Sequence, residues 1–127
     1  MTGVQTCALP ISETFAIAPS RHELDAQWEL MARDQGHTLL TRTIRYLEDR
    51  MAEEARFTGA IETHPSPLSV VWGELDPVAV LPMTARLLEA RPDATLRTLD
   101  GVGHYPMIED PVRFGAAVAA GFSAAGS

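Results

Sequence analysis

Apolar residues along this chain change spacing part-way, and the change separates two kinds of element. Leu24, Trp28 and Met31 follow one another at four and three residues, and so do Leu40, Ile44, Leu47 and Met51. That spacing puts each series on one side of a helix. Ser20-Arg-His-Glu23 has the form of a capping box and marks the first helix start. Gly36 is placed to end that helix. A second helix is expected from about Thr38 to Phe57, with a charged face running from Arg42 to Arg56 that reads as solvated. His64-Pro-Ser-Pro67 is a stiff, extended loop.

From Leu68 the apolar pattern shortens. Leu68-Ser-Val-Val-Trp72 reads as a strand, closed by Gly73 and a turn at Asp76-Pro77. Pro82 suits the first turn of a helix. Met83, Leu87 and Leu88 give that helix an apolar side, and Pro92-Asp93 stops it. Thr95-Leu-Arg-Thr-Leu99 alternates as a second strand. Gly101-Val-Gly103-His104 follows at once. Asp110-Pro111 opens a last helix. Phe114, Val118 and Phe122 form its face, and Ser123 to Ser127 is a frayed tail.

A strand, a helix and a strand in about 30 residues make a βαβ unit with parallel strands. Asp76 and His104 then lie past the carboxyl ends of the two strands, where open α/β sheets build their sites. A carboxylate there can accept Nδ1–H of an imidazole and leave Nε2 free as a base. Taken singly, Asp76 is an ordinary turn aspartate and His104 a capping histidine. Their order and shared placement favour a common site. Glu74 is expected to be exposed. Glu109 and Asp110 are expected to be structural, at a helix start where the macrodipole favours negative charge.

Val71-Trp-Gly-Glu-Leu-Asp-Pro77 and Gly101-Val-Gly-His-Tyr-Pro-Met-Ile-Glu-Asp-Pro111 together resemble the α/β-hydrolase family. The acid of that family follows a late strand in a Trp-Gly-x-x-Asp-Pro context. Its histidine follows the last strand in a Gly-His context. The resemblance implies an α/β fold in which Asp76 and His104 are two members of a catalytic triad. Arg45-Tyr46, Arg50 and Gly-His-Tyr-Pro look most like the epoxide hydrolase and haloalkane dehalogenase branch. There a cap tyrosine can donate to an epoxide oxygen, a role open to Tyr46, although packing is the plainer reading. The family order is nucleophile, acid, histidine, yet no G-x-S-x-G elbow precedes Asp76. Ser66 lies between prolines, Ser69 is inside a strand, and Ser12 and Ser20 lack flanking glycines. The oxyanion-hole segment is missing too. The expectation is therefore the C-terminal part of an α/β hydrolase with an incomplete sheet. The parent would act on a small-molecule ester, epoxide or haloalkane without cofactor or metal, and this fragment would be inactive.

The uncharged stretch from Met1 to Ser12 resembles the conceptual translation of a sequencing adapter, and residues 1–12 are expected to be foreign to the rest. The expected layout continues with a linker at 13–19, cap-like helices at 20–62, and a core part at 63–127. The alternative is a small α/β interaction module that docks through Trp28 and Met31.

Composition narrows the functions further. The 127 residues suffice for one domain at most, and 46% are apolar. The net charge of −7 argues against nucleic acid and anionic membrane surfaces. No apolar run approaches the roughly 20 residues that span a bilayer. No secretory leader pattern is seen, and Cys7 has no partner for an internal disulfide, so a cytoplasmic setting is expected. His22, His37 and His64 lack the spacing of metal ligands. Gly101 and Gly103 lack the third glycine of a phosphate loop.

Overall fold

The computed structural model describes residues 11–125. They form two compact units. Ser20–Ser66 is one, and the described residues before Ser20 join those from Pro67 onward in the other.

The second unit is α/β. Strand β1 (Ser69–Gly73) and strand β2 (Thr95–Leu99) pair in parallel, Ser69 opposite Thr95 and Gly73 opposite Leu99. The first strand begins one residue later than its apolar run suggests and takes in Gly73. Helix α5 (Met83–Ala90) makes the crossover, with Pro82 just before its first turn. A short helix α6 (Pro106–Glu109), absent from the expected elements, leads into α7 (Pro111–Ala125). Helix α7 packs on both strands. Val70 and Leu99 are buried, and Val102 is fully enclosed. Asp110 caps α7 as its sequence implies: Oδ1 accepts the Arg113 amide at 2.9 Å.

Two expectations for these helices fail. Phe122 is not on the packed face of α7 but 78% exposed. Helix α7 approaches β1 closely at Gly121, where a Cβ would meet Ser69 Oγ at 2.5 Å. One residue further round the helix is about 100° away, so Phe122 turns outward. Residues 123–125, expected in a frayed tail, instead belong to α7.

The Ser20–Ser66 unit is helical. Helix α1 (Arg21–Ala32) starts on its capping box, with Ser20 Oγ accepting the Glu23 amide at 3.1 Å. It ends through left-handed Asp34 and Gln35, at φ 50° and 60°, rather than at Gly36. A 3₁₀ stretch, Arg33–Leu39, follows. The single helix expected over 38–57 is three pieces: α2 (Leu40–Thr43), α3 (Tyr46–Ala52) and α4 (Glu54–Glu62). Its stripe finds no core to fill, since Leu40, Ile44 and Leu47 are exposed and Met51 is 81% exposed. Helices this short are marginal without burial of an apolar face. The break at Glu53 falls at φ −111°, ψ 29°. No helix among the described residues is long and apolar enough to cross a membrane.

Candidate active site

The turn after β1 is shaped around Asp76. Its Oδ1 accepts the amides of Val78 and Ala79, both at 2.8 Å. Short polar side chains favour such turns because they bond their own backbone two or three residues on. The Trp72 indole N–H donates to the Ala79 carbonyl at 2.7 Å and pins the far side of the turn. Asp76 Oδ2 is left to face the loop after β2.

That loop delivers His104. Its Nδ1 lies 2.8 Å from Asp76 Oδ2. The Asp76 side chain is 8% exposed and that of His104 31%. Where the Asp76 carboxylate is ionised it only accepts hydrogen bonds, so this contact calls for the proton on Nδ1. In the neutral ring Nε2 is then the bare, basic nitrogen. The two residues stand 28 apart in sequence and meet because parallel pairing puts both loops at the same sheet end.

Backbone contacts lock the loops together. The Glu74 amide donates to the Leu99 carbonyl at 3.1 Å and the Leu75 amide to the Val102 carbonyl at 2.9 Å. Glu74 is exposed as expected, and its carboxylate also accepts the Gly101 amide at 3.1 Å. Gly73 lies so near the second loop that a Cβ would sit 2.1 Å from the Gly103 carbonyl oxygen.

Two features escape the sequence reading. Glu109 is structural at a helix start, as expected, in the single turn of α6 just ahead of α7, yet it is no solvated surface charge. Its carboxylate instead accepts four backbone amides, those of Ala16, Ile17, Gly103 and Tyr105. The only sequence signal is an acidic residue a few positions after a Gly-x-Gly loop. Residues 13–19 are also no free linker. Thr14 is buried, its carbonyl accepts the His104 amide at 3.0 Å, and Phe15 stacks on Tyr105 with centroids 4.7 Å apart. Tyr105 in turn meets the His104 ring edge-on at 4.9 Å. The segment is short and aperiodic, so no pattern announces this packing.

In the helical unit, Tyr46 is half exposed and lines an open groove with Asp49, Arg50, Phe57 and Ile61. The His37 ring lies 5.9 Å from Trp28, and His64 Nδ1 accepts the Ser66 amide. Ser69 Oγ accepts from the Thr95 hydroxyl within the sheet. Among the described residues no three His, Cys, Asp or Glu side chains gather as a metal site. Cys7 and most of the adapter-like stretch lie outside the described residues. Asp110, beside the site, has its carboxyl held below the usual aspartate value by the Arg113 amide and then the Arg113 guanidinium.

Comparison with known proteins bears on the whole arrangement. The chain is 41% identical over 92 residues to the Mycobacterium tuberculosis protein named "Putative hydrolase LipZ", a span of 72% of this chain and 32% of that protein. This stretch is similar to a named hydrolase. It is also 29% identical over 98 residues to the mouse mesoderm-specific transcript protein and 31% identical to its human homolog. Those matches cover 76% of this chain and 29% of each relative. The chain thus spans about a third of the length of the curated relatives it matches. No family model and no solved structure matches it.

Proposed function

We propose that this chain carries the acid and the general base of an α/β-hydrolase triad. The observation that bears most weight is the 2.8 Å contact between Asp76 Oδ2 and His104 Nδ1, made at the carboxyl ends of two parallel strands. Asp76 fixes the ring and its tautomer and stabilises the imidazolium. His104 Nε2 takes the proton from an attacking serine hydroxyl or from the hydrolytic water; it returns that proton to an alkoxide leaving group, or to solvent where a halide leaves as the anion. No residue here stands on a nucleophile elbow, so the nucleophile and the oxyanion donors come from outside these 127 residues. The 41% identity to a protein named as a hydrolase supports the reading.

The whole enzyme would hydrolyse a small-molecule ester, epoxide or haloalkane, with a Ser or Asp nucleophile. The helices of Ser20–Ser66 would be the end of its cap. The 127 residues alone hold a base and its acid but nothing for them to activate, so they should catalyse nothing at a useful rate. Docking through Trp28 and Met31 fits less well. Trp28 is exposed, but Met31 is half-buried, and an interaction module leaves the Asp76–His104 geometry without a role.

The test is to recover the genomic DNA upstream of the codon for Glu13 and express the longer frame. It should encode a G-x-S-x-G or G-x-D elbow. In that enzyme His104→Ala and Asp76→Asn should each lower kcat by roughly 10³–10⁴-fold or more. A longer frame with no elbow, or full activity in both variants, would overturn the proposal.

A further inference from the structure

We infer that Glu109 is the positioning residue for His104, holding the base in register with Asp76 by clamping the backbone on both sides of it. The inference rests on the hydrolase reading only in calling His104 a base; the clamp itself stands on geometry.

Three consecutive amides run through this point of the loop, and each has a fixed acceptor. Gly103 N–H donates to Glu109 Oε2 at 2.8 Å, and Tyr105 N–H to Glu109 Oε1 at 3.1 Å. Between them His104 N–H donates to the Thr14 carbonyl at 3.0 Å. Fixing the peptide planes on either side of His104 fixes the direction of its Cα–Cβ bond. The imidazole can then reach Asp76 Oδ2 without searching for it.

The same carboxylate recruits the third side of the clamp. Its Oε2 also accepts Ala16 and Ile17 N–H, each at 2.9 Å. This brings the Thr14 carbonyl under His104 and seats Phe15 on Tyr105. One ionised side chain thereby organises two segments that are 92 residues apart. Hydrogen bonds to a charged acceptor are roughly twice as strong as neutral ones. Gly103 is required by the same geometry. A Cβ there would lie 2.6 Å from the Ala16 nitrogen and 2.9 Å from Glu109 Oε1.

Two substitutions separate positioning from plain stabilisation. Glu109→Ala removes all four acceptor contacts. Glu109→Gln keeps one oxygen, enough for the Ala16, Ile17 and Gly103 amides, and sets an NH₂ against Tyr105. The readout is the proton and nitrogen NMR spectrum of the His104 imidazole in the labelled chain, with a thermal melt beside it. Positioning predicts that the Nδ1–H resonance disappears in Glu109→Ala and weakens in Glu109→Gln, in protein that still melts cooperatively. If Glu109→Ala does not fold, Glu109→Gln alone decides. Wild-type Nδ1–H intensity in the folded variants, with only the melt lowered, overturns the inference.

Asp76→Asn is run alongside and must itself remove the resonance. If it does not, the acid–base pair and the proposed function fail. If it does and the Glu109 variants leave the resonance intact, only the role of Glu109 fails.

Discussion

Replacing Gly73 with alanine puts one methyl group where the two site loops touch. The new Cβ would stand 2.1 Å from the Gly103 carbonyl oxygen, 2.7 Å from that of Val102 and 3.0 Å from the Gly103 carbonyl carbon. All three are backbone atoms, so no side chain can swing aside. A non-bonded pair wants about 3.5 Å, so the 102–103 segment must move by roughly 1 Å. Overpacking of this kind costs about 1–3 kcal/mol. The displaced Val102 carbonyl also strains its hydrogen bond from Leu75, made at 2.9 Å, which adds up to about 1 kcal/mol. The sum is roughly 1–4 kcal/mol, or a fall in Tm of about 4–16 °C for a chain of this size. His104 follows Gly103, so its bond to Asp76 should lengthen as well. Thermal and urea melts by circular dichroism measure the first effect. Gly115→Ala is the control: it lies in α7 with nothing within 4 Å of the added Cβ. It should hold or raise stability, by up to about 1 kcal/mol, through helix propensity. A Gly73→Ala melt within 2 °C of wild type would refute the claim that the loops are packed backbone to backbone.

Other outcomes follow from the same contacts. Trp72→Phe keeps one aromatic ring but loses the indole N–H to Ala79 and some packing, and urea melts should show a loss of at least about 1 kcal/mol. Phe15→Ala should lower stability by roughly 1–2 kcal/mol, below the cost at a fully buried site because Phe15 is half-buried. Deleting the twelve N-terminal residues, which carry no apolar periodicity, should leave the melt unchanged within error. Asp110 and Asp93 have carboxyls held below the usual 3.8, Asp110 by the Arg113 amide first and Asp93 by the Arg91 side chain first. Folded values below the unfolded ones mean a contribution complete above the unfolded value and lost as pH falls through the folded one. The gap in Tm between wild type and Asp110→Asn or Asp93→Asn should therefore be constant above about pH 5. It should narrow below pH 4, and a constant gap down to pH 2 would contradict the assigned causes.

The βαβ unit was legible because its signals are local and agree. Alternation in Thr95–Leu99, a β-branched run in Val70-Val71 and proline at both helix ends all point one way. The meeting of Asp76 with His104 followed from parallel pairing, which leaves little freedom in where two strand-end loops lie. The helical half read less well. The stripe from Leu40 to Met51 has perfect helical spacing, yet spacing predicts one continuous helix only when something buries the stripe. The breaks near Arg45 and Glu53 reflect that missing burial. The amide contacts of Glu109 and the stacking of Phe15 were invisible for a different cause. Each acts across some 90 residues through backbone amides or a single ring, and neither leaves a periodic trace.

The most direct test of the account is the nitrogen-15 spectrum of the His104 imidazole in the intact chain above neutral pH. The expected result is a ring protonated at Nδ1, with a downfield proton bonded to Asp76 and a bare Nε2. A ring protonated mainly at Nε2, the tautomer that free histidine prefers, would contradict it and leave the chain without a poised base.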